Sequence, residues 1–484
     1  MNLLDESVVR KIIQDIESGQ NKERRTREIK AFEVYSGELK THVENRVKQI
    51  YPKTYGSFSI ADLNLTKKVT DRLSRAYKQP PLRELGTDTE TEEYSELMQH
   101  VDAAEAWQTF DVYYNLHRYA CMWFSFVEIN GEQEIVLRPL APFQFSRITN
   151  DIGETKVFAV NFPSSDLYSS NDTDGRNALI QDSQQDTGRK RYALWTDEMH
   201  VVVTCEFAKG GALNIYYEPI EGNEKSVNDL GMIPACFAQQ GDNAALPISN
   251  PITNQTVEFN QQYSVMLTGA SLQTFGHLVL SHPSDQPMPN EIYNSLFTYS
   301  KLPQVEGNIP TTLDYLNPSP NLDSQLQVLQ NYGHQIISEH LGDGAKAVTG
   351  SDNFTSGLDR MISMSDITST IESNQQVYAK CENILYGIIK SFYDVKDRQK
   401  FRSESIAIKY SKAKPIESEA EILANIEKKL SIGLIEKYEA LMMLDPNITS
   451  EIAKQKIDAI NVERKESMNS MFGADEDFDA DKEE

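Results

Sequence analysis

The chain has 484 residues, of which 39% are hydrophobic and 9% aromatic, so it can build more than one packed core and is not disordered throughout. Its formal charge of −25 at pH 7 excludes a surface made to hold nucleic acid tightly, because such surfaces neutralise phosphates with Lys and Arg. The same charge keeps the protein away from anionic lipid. We expect about two to four domains.

The four cysteines, Cys121, Cys205, Cys236 and Cys381, are scattered without a C-x-x-C pair. This pattern is typical of small buried side chains in a reducing compartment, whereas a metal site needs clustered ligands. The N-terminal segment is an acid-bearing amphipathic helix, unlike a signal peptide, and no run approaches the ~18 apolar residues of a membrane span. The sequence therefore predicts a soluble, intracellular protein.

Helical spacing of apolar residues predicts three helical stretches before residue 119. The first begins within residues 1–20 and continues as a mixed-charge helix to about residue 40. The second covers 60–77 and stops at the Pro80–Pro81 pair, and the third covers 90–118.

A basic cluster of Arg24, Arg25 and Arg27 lies in the first of these stretches. We interpret it as a helix face salt-bridged to Glu23 and Glu28, because charges of mixed sign along a helix are typical of a solvated surface. A binding patch is the alternative.

Beyond Tyr119 the residues become β-branched and aromatic, which predicts antiparallel strands as far as about residue 240. The Asn130–Gly131 pair is a strong signal for a two-residue hairpin. Polar residues rich in Gly, Ser and Asp interrupt the strands over 164–189, and we expect an exposed, mobile loop there.

A second helical region begins near residue 254, with a helix predicted over 254–282. Residues 283–320 include seven prolines, which favour a compact extended module with a short central helix. Ser319 and Pro320 then give an N-cap signal for a helix over 321–342. The predicted apolar stripe of that helix consists of Leu322, Leu326, Leu329, Ile336 and Ile337.

The C-terminal part is predicted to be largely helical. A helix of about ten turns, or a kinked pair, covers 358–397, and a strand lies near 403–412. A helical hairpin follows, with Gly433 in a left-handed turn. The last eleven residues carry seven acids and one lysine and are expected to be a disordered acidic tail.

A glycine-rich stretch between two predicted helices, LGDGAKAVTGSDNFTSG at 341–357, raises the question of a phosphate site. A P-loop needs its lysine directly after the last glycine and a strand before the loop. Here Lys346 follows Ala345 and precedes Ala347, and a helix precedes the loop. The stretch is therefore not a nucleotide site.

The remaining sequence has no arrangement typical of catalysis or metal binding. The eight histidines form no H-E-x-x-H pair, and no G-x-S-x-G elbow is present. His334 and His340 fall on different faces of their predicted helix. We predict that the protein is not an enzyme and has no metal or cofactor.

Four stretches in a fixed order resemble the portal proteins of tailed bacteriophages, the rings at the capsid vertex through which DNA is packaged and ejected. The resemblance covers about residues 55–465. It is specific because the four stretches occur in this order, not because of any single motif. The stretches are LTKKVTDRLSRAYKQPP; CMWFSFVEING with the later LGMIPACFA; the helix, proline-rich module and helix over 254–342; and EAEILANIEKKLSIGLIEKYEALMML with EIAKQKIDAI. The polar insertion over 164–189 departs from the family pattern.

The resemblance implies an α+β fold, mainly helical, with wing, stem, clip and crown regions in a dodecameric ring around a central channel. The implied regions are a wing over 1–253 and 358–414, stem helices over 254–282 and 321–342, a clip over 283–320, a tunnel loop over 343–357, a crown over 415–466 and an acidic tail over 467–484.

The resemblance also implies that the glycine-rich stretch faces the translocating DNA. The side chains expected to contact phosphate oxygens are Lys346, Thr349, Ser351 and Asn353. The glycines expected to serve as hinges are Gly342, Gly344, Gly350 and Gly357. An equally open alternative pairs Lys346 with Asp343 or Asp352 of a neighbouring copy.

In the portal family the clip meets the terminase motor and later the head-completion adaptor. The apolar clip residues expected to dock a partner or pack against neighbouring copies are Ile292, Leu296, Phe297 and Tyr299. The implied partners are further copies of the chain, transiently bound double-stranded DNA without sequence preference, the terminase large subunit, the major capsid and scaffold proteins, and the adaptor, with no membrane. The implied location is the capsid vertex of the virion, after assembly in the host cytoplasm.

Two functions of other classes stay open. One is an ATP-driven packaging enzyme, which the missing P-loop disfavours. The other is a capsid-associated structural or scaffold protein without a DNA channel, which a ring with an axial hole would exclude.

Overall fold

The computed structural model describes residues 1–129, 132–150, 153–162, 189–207, 213–218, 226–240, 250–275, 277–282, 298–303, 312–316, 322–342, 357–395, 400–410, 426–444, 454, 456 and 457. The chain is mixed α and β with helix predominating, as the sequence predicts. It divides into two compact units, of which one comprises Met1–Thr349 and Met364–Lys412 and the other Gly350–Ser363 and Ala413–Glu484. No helix in the described part is long and apolar enough to cross a membrane.

The helices are α1 (Glu6–Ile16), α2 (Gly19–Glu33), α3 (Leu39–Ile50), α4 (Leu65–Leu73), α5 (Asp88–His100), α6 (Ala103–His117), α7 (Ile252–Phe275), α8 (Leu322–Leu341), α9 (Gly357–Val395) and α10 (Lys437–Leu444). The strands are β1 (Leu82–Glu84), β2 (Tyr119–Ile129), β3 (Glu132–Leu140), β4 (Phe145–Thr149), β5 (Thr155–Phe162), β6 (Arg189–Trp195), β7 (His200–Phe207), β8 (Leu213–Glu218), β9 (Ala235–Gln239), β10 (His277–His282), β11 (Thr298–Pro303), β12 (Thr312–Leu316) and β13 (Ala407–Lys409).

Side-chain caps start several of these helices. Asp5 accepts a hydrogen bond from the Ser7 backbone N–H at 2.9 Å and begins α1. Asn64 accepts one from the Lys67 backbone N–H at 2.8 Å and begins α4. Each cap satisfies a backbone donor that has no partner within its helix, so a polar residue just before an apolar periodic run fixes where the helix begins.

The β region forms two antiparallel sheets. One has five strands in the order β4-β5-β6-β7-β8, and the other has three in the order β3-β2-β9. Strands β2 and β3 pair from Cys121 opposite Leu140 to Ile129 opposite Glu132, which confirms the predicted hairpin, although the Asn130–Gly131 turn itself lies outside the described residues. The insertion over 164–189 likewise lies outside them, except for Arg189 at the start of β6.

The N-terminal helix α1 closes over one face of the five-stranded sheet. Val9, Ile12, Ile13 and Ile16 on α1 are buried against apolar side chains of β5, β6 and β7. Helical spacing puts these four residues on one face, and the alternation of the strands provides the matching apolar surface. The predicted amphipathic helix is thus confirmed as a covering helix of a sheet.

Ion pairs account for most of the basic cluster on α2. Arg24 contacts Glu28 at 3.4 Å, as the salt-bridge interpretation predicts. For Arg25 the predicted solvated face is wrong, because this residue is buried and contacts the Glu17 carboxylate at 2.7 Å. Lys190 also contacts Glu17, at 2.6 Å. Burial acts to raise the pKa of the Glu17 carboxyl, but Arg25 and Lys190 hold this pKa below its ordinary value.

Two predicted elements differ from the structure. The helix predicted over 90–118 is two helices, because Asp102 between them adopts a left-handed φ of 49°. The helix predicted over 254–282 ends at Phe275, and residues 277–282 form β10 instead. Of the two alternatives predicted for 358–397, the single long helix is confirmed, as α9.

Tertiary pairing explains the strand at 277–282. β10 pairs in parallel with β11 on one side and antiparallel with β12 on the other, so its backbone groups bond to two neighbours. The proline-rich module predicted over 283–320 therefore contributes two strands to a three-stranded sheet that starts at residue 277. A short apolar run such as HLVLSH is compatible with helix or strand, and its neighbours decide between them.

In the C-terminal unit the predicted turn is present. Gly433 has a left-handed φ of 71° and follows a helical segment at 426–431, and α10 begins four residues later. A glycine is needed there because a side chain would be strained in this conformation. The acidic tail over 467–484 lies outside the described residues.

Candidate functional site

The glycine-rich stretch begins at a constrained glycine directly after helix α8. Helix α8 ends at Leu341, and Gly342 directly after it has a left-handed φ of 57°. A Cβ at Gly342 would lie 2.8 Å from the Asp366 Cγ and 2.9 Å from the Asp366 Cβ, with the carboxylate Oδ2 closer still. Residue 342 therefore needs a glycine both for its backbone angle and for the close approach of Asp366.

The residues between Gly342 and Gly357 were the centre of the predicted site. Gly357 is the first residue of α9, so the glycines at both limits of the loop lie where a helix ends or begins. The predicted contacts Lys346, Thr349, Ser351 and Asn353, and the predicted hinges Gly344 and Gly350, lie outside the described residues. Their contact with DNA and the hinge motion stay predictions. Asp366, which approaches Gly342 from 24 residues further along the chain, is the neighbour that sequence reasoning missed.

Helices α7 and α8 lie side by side and run in opposite directions. The Gln255 amide near the start of α7 donates to the Glu339 carboxylate near the end of α8 at 2.8 Å, and its oxygen lies 3.0 Å from the His340 Nε2. Further along, the Phe259 ring lies against Gly333, where an added Cβ would approach the ring to 3.0 Å. Because the start of α7 contacts the end of α8, the two helices are antiparallel. The chain therefore runs out along α7 and back along α8, and residues 252–341 are called the excursion below.

A polar ladder holds the opposite side of α7. The side chains of Asn260, Ser264 and Thr268 follow one another at every fourth position. They accept hydrogen bonds from the backbone N–H groups of residues 63, 61 and 59, at 2.7, 2.9 and 3.1 Å. These bonds tie an extended segment to α7 and explain why this helix carries polar side chains at these positions.

The small sheet β10-β11-β12 lies between the two helices in the sequence. Tyr299 is part of β11, where its backbone is opposite Leu278 of β10. The other predicted clip residues, Ile292, Leu296 and Phe297, lie outside the described residues. Docking by these residues stays a prediction.

The charge of the chain is distributed unevenly around this excursion. Between Ser226 and Asp359 the sequence has twelve acids and two cations, Lys301 and Lys346, although the chain has 47 cations in all. Helices α7 and α8 include no Lys or Arg. The excursion and the loop after it are therefore almost free of positive charge.

A buried polar seam runs along helix α9 through the main core. Asn374, Tyr378 and Glu382 follow at every fourth position and so share one helix face. All three are buried, and Glu382 is 1% exposed. The core around them is apolar and aromatic, with Trp107 and Phe110 of α6 among the buried side chains.

The first half of the seam joins α9 to α6. The Tyr378 hydroxyl donates to the Asp111 carboxylate at 2.7 Å. The Asn374 amide donates to the Asn115 side-chain oxygen at 3.0 Å, and the Asn115 amide donates in turn to Asp111 at 2.8 Å. Burial raises the pKa of Asp111 to about 7, although these donors and the Ala76 N–H favour its charged form.

The second half of the seam joins α9 to β1 and to the segment before it. The Arg83 guanidinium contacts the Glu382 carboxylate at 2.5 Å, and the Tyr77 hydroxyl donates to the same carboxylate at 2.8 Å. Burial, together with Glu382, keeps the pKa of Tyr77 well above its ordinary value, so its hydroxyl keeps its proton and acts as a donor.

These buried groups are bound to one another. Asp111 and Glu382 each take several donors inside the core, so the seam fixes the position of α9 and presents no open reactive group. The four cysteines are buried, and burial raises the pKa of Cys121 and Cys236 well above the ordinary value, which keeps these thiols protonated. In the described part of the chain no group of three His, Cys, Asp or Glu side chains is placed to bind a metal ion.

Comparison with protein-family models and with curated proteins finds no match for this chain. A functional conclusion therefore depends on the order of elements, the charge distribution and the contacts described above.

Proposed function

We propose that this protein is a portal protein of a tailed bacteriophage, which forms a ring of about twelve copies and conducts double-stranded DNA into and out of the capsid. The observation that carries the proposal is the excursion along α7, through the sheet β10-β11-β12 and back along the antiparallel α8. Stem and clip follow in this order in the family that the sequence resembles. In this proposal α7 and α8 are the stem helices, and the small sheet belongs to the clip.

The charge distribution supports a conduit more than a DNA-binding protein. Twelve copies of a chain with charge −25 would carry −300. A duplex that passes such walls is repelled from them, because cations that would hold its phosphates are nearly missing from residues 226–359. Repulsion lets DNA slide in both directions, as packaging and ejection require.

Electron microscopy of the purified protein in negative stain tests the proposal directly. We expect rings with an axial hole wide enough for a duplex. Particles without a hole, or filaments, would favour a scaffold or another capsid-associated structural protein and contradict the proposal. Hydrolysis of ATP by the pure protein would instead favour the packaging enzyme.

Lys346 provides a test of the loop. In this proposal it is one of two cations in the cation-poor segment, and it contacts phosphate oxygens of the passing duplex. We expect Lys346→Ala to leave ring assembly intact and to change packaging efficiency or DNA retention, whereas Lys301→Ala, the matched loss of a cation, changes them less. Unchanged packaging and retention in Lys346→Ala would remove the case for DNA contact at the loop.

The clip assignment is tested by a deletion. Removal of residues 288–312 takes away the predicted docking residues Ile292, Leu296, Phe297 and Tyr299 together with the whole of β11. We expect the deleted protein to lose binding to the terminase large subunit in a pull-down assay. Normal motor binding would refute this assignment without affecting the ring.

A further inference from the structure

We propose that the exposed side chains of residues 40–78, on helices α3 and α4 and the segments after them, form a docking surface for an acidic, amphipathic segment of another protein. This part of the chain is called the basic surface below. It precedes the excursion in the sequence, and its proposed occupant is not a further copy of this chain. The inference therefore goes beyond the proposed function and holds or fails independently of it.

Positive charge is concentrated in this short part of the chain. Residues 40–78 include nine cations and three acids, which gives a formal charge of +6. The other 445 residues include 38 cations and 69 acids, a formal charge of −31. A local positive excess attracts anionic partners even in an acidic protein. The nine cations are Lys40, Arg46, Lys48, Lys53, Lys67, Lys68, Arg72, Arg75 and Lys78.

Packing of the two helices leaves their cations toward solvent. The apolar face of α3, with Leu39, Val43 and Val47, is buried against α7. The apolar face of α4, with Leu65 and Val69, is buried in the main core. Of the nine cations seven are exposed and two are half-buried. The charged sides of both helices are therefore accessible to a partner from outside the chain.

Contacts at the start of α4 hold it next to the start of α3. The Tyr35 hydroxyl, in the helical turn before α3, donates to the Asp71 carboxylate at 2.8 Å. The Lys67 ammonium lies 4.6 Å from the centre of the Tyr35 ring and 3.0 Å from Asp71. The Asn64 amide donates to the Val34 carbonyl at 2.6 Å. The cations of α3 and α4 therefore belong to neighbouring parts of the molecule.

The chain supplies few anions to these cations. Among the described residues, the nine take part in one salt bridge, between Lys67 and Asp71. Exposed cations elsewhere are paired, as Lys156 is with Glu154 at 2.8 Å. Most of the charge of the basic surface can therefore act on an anion from outside the chain.

Two cations of the basic surface lie beside other cations. Burial, and then the nearby charge of Arg72, lower the pKa of Arg75, although Asp71 opposes them. Burial and then Arg46 likewise lower the pKa of Lys30, which lies on α2. Like charges that lie close together destabilise the folded chain, so an anion bound near them would stabilise it.

Exposed apolar side chains among the cations indicate what kind of anion fits. Ile50, Tyr55 and Leu63 are 43%, 42% and 47% exposed. The Lys48 ammonium lies 5.2 Å from the centre of the Tyr55 ring, so a charged and an aromatic group are presented together after α3. An amphipathic protein segment offers carboxylates to the cations and apolar side chains to these residues.

The charge of the remaining chain separates such a segment from larger polyanions. A DNA duplex or an anionic membrane extends beyond the basic surface, so it would also meet the rest of the chain, which carries −31. A single acidic segment is small enough to contact the basic surface alone. The combination of charge, exposed apolar groups and acidic surroundings therefore favours a protein segment.

Fluorescence anisotropy with the full chain tests the proposal. The probe is a labelled synthetic helix of about 20 residues with Glu on one face and Leu on the other, and its control has Gln in place of Glu. We expect the Glu peptide to bind about tenfold more tightly than the Gln peptide and to lose affinity as salt is added. Equal affinity of the two peptides would contradict the inference.

Charge-removing variants locate the binding. Lys48→Gln combined with Lys68→Gln removes one exposed cation from each helix. The matched control, Lys156→Gln with Lys409→Gln, removes two exposed cations that have acidic partners within the chain. We expect the first pair to weaken binding of the Glu peptide about tenfold and the control pair less than about twofold, with unchanged circular dichroism spectra. Equal losses in the two pairs would mean that net charge alone attracts the peptide and would overturn the inference.

Other outcomes would show a different occupant. If a DNA duplex of about 20 base pairs or phosphatidylglycerol vesicles bind as tightly as the Glu peptide, and the first pair of substitutions weakens that binding, the surface takes phosphates and the inference is wrong. If that pair prevents an oligomer that the control pair forms, the surface joins copies of this chain and the inference is wrong. Rings without peptide binding would overturn this inference alone, whereas peptide binding without rings would overturn the proposed function alone.

Discussion

Helix α9 buries a row of polar side chains, whereas the α7–α8 pair exposes aliphatic side chains. On α9 a row of polar groups, Asn374, Tyr378 and Glu382, is buried in an aromatic core, and each group finds its partner within the chain. On the helix pair, aliphatic side chains such as Val328 are exposed, and residues 324–338 around Val328 include no Asp, Glu, Lys or Arg. The difference teaches that the buried polar row of α9 is completed by contacts within the chain, whereas the chain leaves Leu326 and Val328 of α8 uncovered, as it does Ile384 on the outer face of α9.

The largest expected effect on stability concerns the buried polar seam of α9. Glu382→Ala leaves the Arg83 guanidinium buried without its carboxylate and takes the acceptor from the Tyr77 hydroxyl. We expect a loss of about 3–5 kcal/mol in the free energy of unfolding, measured by urea denaturation. The control Ile384→Ala, two residues away on the exposed face, should change stability by less than about 0.5 kcal/mol. Similar effects of the two variants would contradict the importance of the seam.

The next prediction compares two neighbouring residues of α8. Leu329 is 6% exposed and packs in the main core, while Val328 faces solvent. Leu329→Ala should destabilise the chain by about 2–3 kcal/mol, because it leaves a cavity. Val328→Ala should stay within about 0.5 kcal/mol in dissociated protein. A large effect of Val328→Ala in dissociated chains would show that the face is already covered by its own chain.

Alanine substitutions at two glycines are expected to change the stability by smaller amounts and in opposite directions. Gly342→Ala forces a side chain into a left-handed conformation and against Asp366, so we expect a loss of about 1–2 kcal/mol. Gly387 lies within α9 with open space where a Cβ would be, so Gly387→Ala should stabilise the chain by about 0.5–1 kcal/mol. Thermal unfolding of the two variants measures both signs. A stabilising Gly342→Ala would mean that the loop end can rearrange at no cost.

The smallest expected effect is a pH dependence at the end of the helix pair. Burial lowers the pKa of His340 below its ordinary value of 6.5; Arg118 adds to this, while Glu339 opposes it. Below about pH 6.5 the unfolded chain therefore binds a proton that the folded chain resists. The stabilisation from neutral His340 is complete above that pH and is lost as the pH falls below it.

His340→Gln tests this linkage, since glutamine can still hydrogen-bond to Gln255 but does not titrate in this range. Between pH 7.5 and 5.5 the unmodified chain should lose less than about 1 kcal/mol more stability than the variant. Parallel curves for the two proteins would show that the imidazole does not take part.

Local pattern predicted much of the secondary structure. The hairpin of β2 and β3, the covering helix α1 and the left-handed turn at Gly433 follow from an Asn-Gly pair, helical apolar spacing and a single glycine. These signals act over a few residues, so they can be read without knowing the fold. The break at Asp102 escaped prediction because an aspartate tolerates the left-handed conformation without demanding it.

Long-range contacts explain what pattern did not reveal. Tyr77 meets Glu382 across 305 positions, and no spacing rule relates two residues so far apart. The same holds for Asp366 beside Gly342, since the approach depends on how α8 and α9 are placed. For the predicted loop contacts around Lys346, the sequence and the resemblance supply the hypothesis, and experiment has to test it.

The sequence by itself determined the mixed, mainly helical composition of the chain, its acidity and the near absence of cations between residues 226 and 359. Residue type alone sets charge, and local spacing sets most helices and strands. Only the tertiary structure decided that residues 277–282 are a strand, that Asn374, Tyr378 and Glu382 form a buried seam, and that the apolar stripe of α8 is exposed at Leu326. Pairing and burial depend on neighbours distant in sequence, which local propensity does not encode.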